Sequence, residues 1–176
     1  MTTLTEDVIR YNLVARVLHW LIALFLIVNL GIGLVHDGLP KDWNVMTLHK
    51  SLGLSVLILS IIRIGWRFTF KMPPWPATMP QLQVVAAKLT HLGLYFLMLA
   101  LPLTGWVFSS AGKYPIALWG IPWPKLPVTK DMPIAGITHE GHEVLGWVAL
   151  ALIVLHIAAA IYHHHVVKDD ILKRMM

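Results

Sequence analysis

The chain has 176 residues, 57% of them hydrophobic and 13% charged, with a mean hydropathy of +0.68. A soluble domain averages about 45–50% apolar and about 25% charged residues, so this composition indicates an integral membrane protein with room for one domain of about four spans. The absence of cysteine excludes disulfides, thiolate metal sites, iron–sulfur clusters and covalently attached haem, and a formal charge of +5 fits basic cytoplasmic flanks rather than nucleic-acid binding.

Residues 1–16 are polar, with Glu6, Asp7, Arg10 and Arg16, and a first apolar run covers about 17–35. Its length, and the HDGLPKDW that comes next in place of a small-residue cleavage site, mark a retained span rather than a signal peptide. A second span covers about 49–68 and ends at KMPPWPATMP, whose prolines cannot continue a membrane helix. Semi-polar residues 81–90 lead into a third span, about 91–110, where Pro102 predicts a kink. Residues 111–138, rich in proline, glycine and tryptophan, form the longest connection, expected to lie on the membrane surface. A fourth span covers about 142–164 and the chain closes on VVKDDILKRMM. The expectation is a single domain over residues 1–176: an all-α, integral membrane four-helix bundle, surrounded by lipid.

Basic residues set the orientation. With the N-terminus inside, the inner segments carry Arg10, Arg16, Arg63, Arg67, Lys71, Lys88, Lys168, Lys173 and Arg174. The outer ones carry Lys41, Lys50, Lys113, Lys125 and Lys130. That asymmetry predicts an inner-membrane protein with both termini cytoplasmic.

Ten histidines are the compositional anomaly. In the fourth span His142 and His156 stand fourteen residues apart, within roughly 40° of the same helix face and about 21 Å apart along the axis. Alternating spans put His49 at the outer level with His142, and His19 at the inner level with His156. Each pair could supply two axial nitrogens to a haem iron in the bundle core. Ala23, Gly53, Gly146 and Ala160 come four residues after these histidines, leaving room on the same face for a flat macrocycle. Arg63, fourteen residues after His49, is a candidate for haem propionates at the inner level, with Arg67 and Arg16 nearby and Lys50 in the same role outside. Snorkelling to the interface is the competing reading of these cations. His139, three residues before His142, could replace it as ligand. His91, His163 and His164 fall near the inner surface, where imidazoles that titrate near neutrality could deliver protons to a quinone. Structural histidines and a metal-carrying protein are the alternatives; the spans lack the carboxylates that metal carriage would use.

LHW in the first span, TLHKSLG opening the second, HLG…ALPLTGW in the third, and HE with fourteen residues to a second histidine before HH…KDDILKRMM resemble the bacterial cytochrome b561 family over nearly the whole chain. The resemblance implies a four-helix dihaem b-type membrane cytochrome, of the bacterial and nickel-hydrogenase type, passing electrons to or from ubiquinone or another quinone. It implies two haems b held by His19, His49, His142 and His156. One branch of that family is a superoxide:ubiquinone oxidoreductase taking electrons at the outer side, where the outer lysines could steer an anionic donor. The other branch to weigh is an electron-relay subunit of a larger dehydrogenase or hydrogenase, served by a protein donor.

Overall fold

A computed structural model describes residues 10–176; the polar segment with Glu6 and Asp7 lies outside them. The described residues form four long helices: α1 (Leu13–Val35), α2 (Val45–Arg67), α3 (Gln81–Ala111) and α4 (Pro133–Tyr162). All four are long and apolar enough to cross a membrane. Neighbours in sequence pack side by side, α1 with α2, α2 with α3 and α3 with α4. The pairing is antiparallel. His49, near the start of α2, meets the carbonyl of Asn29 near the end of α1, while Arg63, near the end of α2, meets the carbonyl of Ala15 at the start of α1. The start of α1 and the end of α4 thus lie at one end of the bundle, the terminal end. The α1–α2 and α3–α4 connections lie at the other, the hairpin end.

The helices begin earlier than the apolar runs. Asn12 caps α1 by accepting a hydrogen bond from the Ala15 amide at 2.9 Å, a placement that satisfies one orphan donor of the first turn. Pro133 opens α4 at its first turn, where a missing N–H costs nothing. The connection expected over 111–138 is therefore helical from 133 onward. The 31 residues of α3 and 30 of α4 make about 45 Å each, against about 30 Å of hydrocarbon. Their polar first turns stand clear of the apolar layer, so hydropathy alone under-measures them. Pro102 sits inside α3, buried, with Thr104 Oγ1 donating back to the carbonyls of Ala100 and Leu101.

Little of the apolar surface is used inside. The core is a narrow seam in which Ala149 is fully buried against Leu97 and Leu101. Leu24, Ile27, Phe96, Leu103, Val154 and their like point outward, as they would toward lipid tails. At the hairpin end a two-residue ladder, β1 (Ala117–Leu118) and β2 (Ile121–Pro122), turns through Trp119 and Gly120, both at positive φ (52° and 90°). Two positive φ values are what a tight two-residue hairpin requires, and tryptophan is strained there. Two serines of α2 hold it: the Trp119 amide donates to Ser51 Oγ (3.2 Å) and its indole N–H to Ser55 Oγ (2.9 Å).

Candidate cofactor sites

At the hairpin end, α2 and α4 bring His49 and His142 together, ring centroids 6.0 Å apart and ring planes at 76°. Each imidazole is anchored through Nδ1. His49 Nδ1 lies 3.1 Å from the Asn29 carbonyl, and His142 Nδ1 lies 2.9 Å from the Leu101 carbonyl and 3.1 Å from Thr104 Oγ1. A carbonyl only accepts, so Nδ1 carries the proton in both rings and Nε2 is left with its lone pair, the tautomer a metal ligand needs. Two glycines make room. A Cβ on Gly33 would lie 3.2 Å from His49 Cε1, and one on Gly105 would lie 3.1 Å from His142 Cε1. Gly53 and Gly146 are less confined, their added Cβ atoms meeting only Asn29 Nδ2 at 3.4 Å and Leu30 Cδ1 at 3.9 Å. His139 stays out of this pair. It is exposed, 5.1 Å from the Phe108 ring, with Nε2 3.8 Å from a Glu143 oxygen.

Toward the terminal end, α1 and α4 bring together His19 and His156, centroids 6.2 Å apart. A metal–imidazole bond is about 2 Å long, so two imidazoles that would hold one metal between them need ring centres roughly 6 Å apart. Both pairs match that spacing. The second pair has a third neighbour, His91 of α3, whose ring centre is 5.5 Å from that of His156 and which stacks on Trp75 at 6.2 Å. Arg63 reaches this level. Its Nη1 donates to the Ala15 carbonyl at 2.7 Å and its guanidinium lies 5.9 Å from the Tyr95 ring centre.

A cavity of about 410 Å³ opens beside this second pair, between the terminal halves of α3 and α4. Its wall is mostly apolar, Ala158, Ala159 and Ala160 among it, with Gln83, Thr90, His91, His156, Tyr162 and His163 as polar points. His164 is not among the lining residues; its ring lies against His165, 4.7 Å away. Below the cavity the last turn of α4 widens into a π-turn, His163–Val167, and Lys168 at φ 60° reverses the chain. Asp169 then folds back, its carboxylate 2.6 Å from His163 Nδ1, with both side chains largely buried.

The tail from Lys168 closes the terminal end. Trp20 Nε1 donates to the Met175 carbonyl at 2.8 Å, and Arg16 reaches the Met176 carbonyl. Arg174 reaches the Pro74 carbonyl, and the Tyr11 amide donates to the Arg174 carbonyl at 3.0 Å. Burial in this floor pushes the Tyr11 phenol above its ordinary pKa. Arg16 is thus engaged by a backbone carbonyl of the tail. Among the described residues, no cluster of three or more His, Cys, Asp or Glu is disposed to hold a bare metal ion.

Sequence reasoning does not single out Gly33, Gly105, Asn29, Thr104 or Asp169 as site residues. Asn29 is a lone amide in an apolar run, and Thr104–Gly105 stands just after an intramembrane proline; those are the signals that could have found them.

Comparison with known proteins bears on the whole chain. The sequence profile of the family described as Prokaryotic cytochrome b561 matches residues 10–176. Cytochrome b561 homolog 2 of Escherichia coli is 33% identical over 174 residues, covering 95% of this chain and 91% of its own length. The probable superoxide oxidase CybB of Yersinia pestis is 26% identical, covering 95% and 96%. Cytochrome b562 of Cereibacter sphaeroides is 30% identical, covering 94% of each. With a membrane-spanning four-helix architecture and a family match over nearly its full length, the chain belongs to the prokaryotic cytochrome b561 family of membrane cytochromes.

Proposed function

We propose that the chain holds two haems b, one between His49 and His142 and one between His19 and His156, and carries electrons across a bacterial inner membrane between an outer donor and a quinone. The observation that carries this reading is the two imidazole pairs, with ring centres 6.0 and 6.2 Å apart, on two levels of one bundle. Bound there, the haems would supply one-electron carriers at two depths of the membrane. The Asn29 and Leu101 carbonyls hold the hairpin-end imidazoles in the ligating tautomer. Ala23, Gly53, Gly146 and Ala160 leave space beside the ligands, and Arg63 offers its charge to propionates at the terminal end.

Quinone is assigned to the terminal-end cavity, with His91 and His163 on its wall and His164 outside it. An apolar cleft with a few convergent polar groups suits a largely hydrophobic ring that must exchange protons. With nine basic residues at this end against five at the other, the cavity faces the cytoplasm. Superoxide as the outer donor draws on the name of the Yersinia pestis relative and on outer lysines that would steer an anion. The relay-subunit reading keeps the same sites and replaces that donor with a protein.

A pyridine haemochrome assay on the purified protein tests the core of the proposal. Two haems per chain with low-spin bis-imidazole spectra are expected; one or none overturns it. Ubiquinone reduction by the isolated holoprotein with superoxide separates the oxidoreductase from the relay subunit.

A further inference from the structure

The contact between His163 and Asp169 is not needed to close the fold. A helix can end at Tyr162 on solvent-facing carbonyls, yet here α4 widens into a π-turn and adopts a left-handed residue that is not glycine, Lys168 at φ 60°. π-turns concentrate at functional sites, and a non-glycine residue in that region is strained by about 1 kcal/mol or more. The result is specific. The Asp169 amide donates to the His163 carbonyl (3.3 Å), and Asp169 Oδ1 accepts from the Ile171 amide (3.1 Å). Asp169 Oδ2 lies 2.6 Å from His163 Nδ1, and the side chains are only 13% and 9% exposed. The carboxylate is fixed by its own backbone before it meets the imidazole, and Ile171 and His163 both line the cavity.

We propose that Asp169 is a positioning residue for proton transfer to the cavity ligand: it holds the His163 Nδ1 proton, so that Nε2 is the nitrogen that gives up a proton to a quinone oxygen and regains one from the aqueous side. This rests on the quinone reading of the cavity. Reduction of a quinone to the quinol adds two electrons and two protons. The haems, where bound, would supply the electrons. His163 would pass one proton from imidazolium Nε2–H to the nearer carbonyl oxygen of the ring, forming an O–H bond and leaving neutral imidazole with its proton on Nδ1, and the far oxygen would take its proton from water. The Asp169 carboxylate stabilises the imidazolium between transfers and blocks the other tautomer, for which Nε2 would already hold its proton in the neutral ring. Among the described residues, the other titratable groups around His163 are His91 and His156 across the cavity, Tyr162 with its ring centre 5.9 Å away, the adjacent His164, and the nearby Lys168 and Asp170, the last paired with Lys173 at 2.8 Å. None of these is bonded to its Nδ1.

The test uses holoprotein with chemically reduced haems, reoxidised either by decylubiquinone, which needs protons, or by ferricyanide, which does not. D169N keeps the shape and removes the charge. It should slow reoxidation by decylubiquinone about tenfold or more and displace the pH profile of that rate. Ferricyanide reoxidation, haem content and decylubiquinone binding to the oxidised protein, read by tryptophan fluorescence, should stay within about twofold of the parent. D169E should recover part of the rate, and H163Q should be as slow as D169N. An unchanged decylubiquinone rate and pH profile in D169N overturns the inference while leaving the quinone reading intact. Equal losses with both oxidants also overturn it, since that marks a structural role. If the parent protein is not reoxidised by decylubiquinone at all, the quinone reading falls first and this inference with it.

Discussion

Gly105→Ala tests the hairpin-end site at its narrowest point. The added methyl would sit 3.1 Å from His142 Cε1 and 3.4 Å from Nδ1, whereas carbon atoms prefer about 3.5–4.0 Å. The ring would have to move by roughly half an ångström. It cannot pivot freely, because Nδ1 is held at 2.9 Å by the Leu101 carbonyl and at 3.1 Å by Thr104 Oγ1, both on the same helix as the intruding methyl. Overpacking of this kind costs about 1–3 kcal/mol, a factor of about 5 to 150 in the affinity of whatever His142 ligates. Gly146→Ala is the control, since its methyl would meet only Leu30 at 3.9 Å. Haem content and the α-band of the reduced protein should show one haem weakened or lost in Gly105→Ala and the other untouched. Two unaltered haems, or equal loss of both, would refute the idea that Gly105 acts through His142.

Two further outcomes are expected. His156→Ala and His19→Ala should each remove the terminal-end haem and leave the other, whereas His91→Gln should keep two haems with bis-imidazole spectra. Loss of one haem in His91→Gln would make His91 the partner of His156. Asn12→Ala removes an acceptor shared by the Ala15 amide at 2.9 Å and the Trp66 indole at 3.0 Å. It should lower stability by about 1 kcal/mol, seen as a lower Tm in detergent with haem content unchanged.

The bundle was legible because lipid leaves few choices. A run of some twenty apolar residues between prolines and charges can only be a spanning helix, and fourteen-residue spacing fixes a shared face whatever the tertiary details. Helix ends were less legible. The THEGHE stretch before the fourth apolar run is as helical as the run itself, but helix outside the hydrocarbon needs no hydropathy and leaves no such signal. The facing of His49 with His142 and of His19 with His156 comes from topology alone, once the helices alternate. What could not be read is what holds the rings. The partners of Nδ1 in both hairpin-end imidazoles are main-chain carbonyls, which every residue has, and the glycines that clear space for them lie on α1 and α3 rather than on α2 and α4, which bear that pair. The fold-back of Asp169 depends on a left-handed Lys168, a conformation that its residue type does not advertise.

One helix carries a histidine of each pair, and its midpoint is clamped. Ala149, halfway between His142 and His156, is fully buried against Leu97 and Leu101. α4 therefore acts as a spacer bar, with the gap between the two ring pairs written into the helical rise. Splaying of the other helices can loosen one partner histidine without altering that gap. On the two-haem reading proposed above, that gap would set the distance factor of electron transfer between the two levels. A change in either haem's potential, or in the entry and exit of electrons, would then alter the flow without any movement of the helix that spaces the pairs.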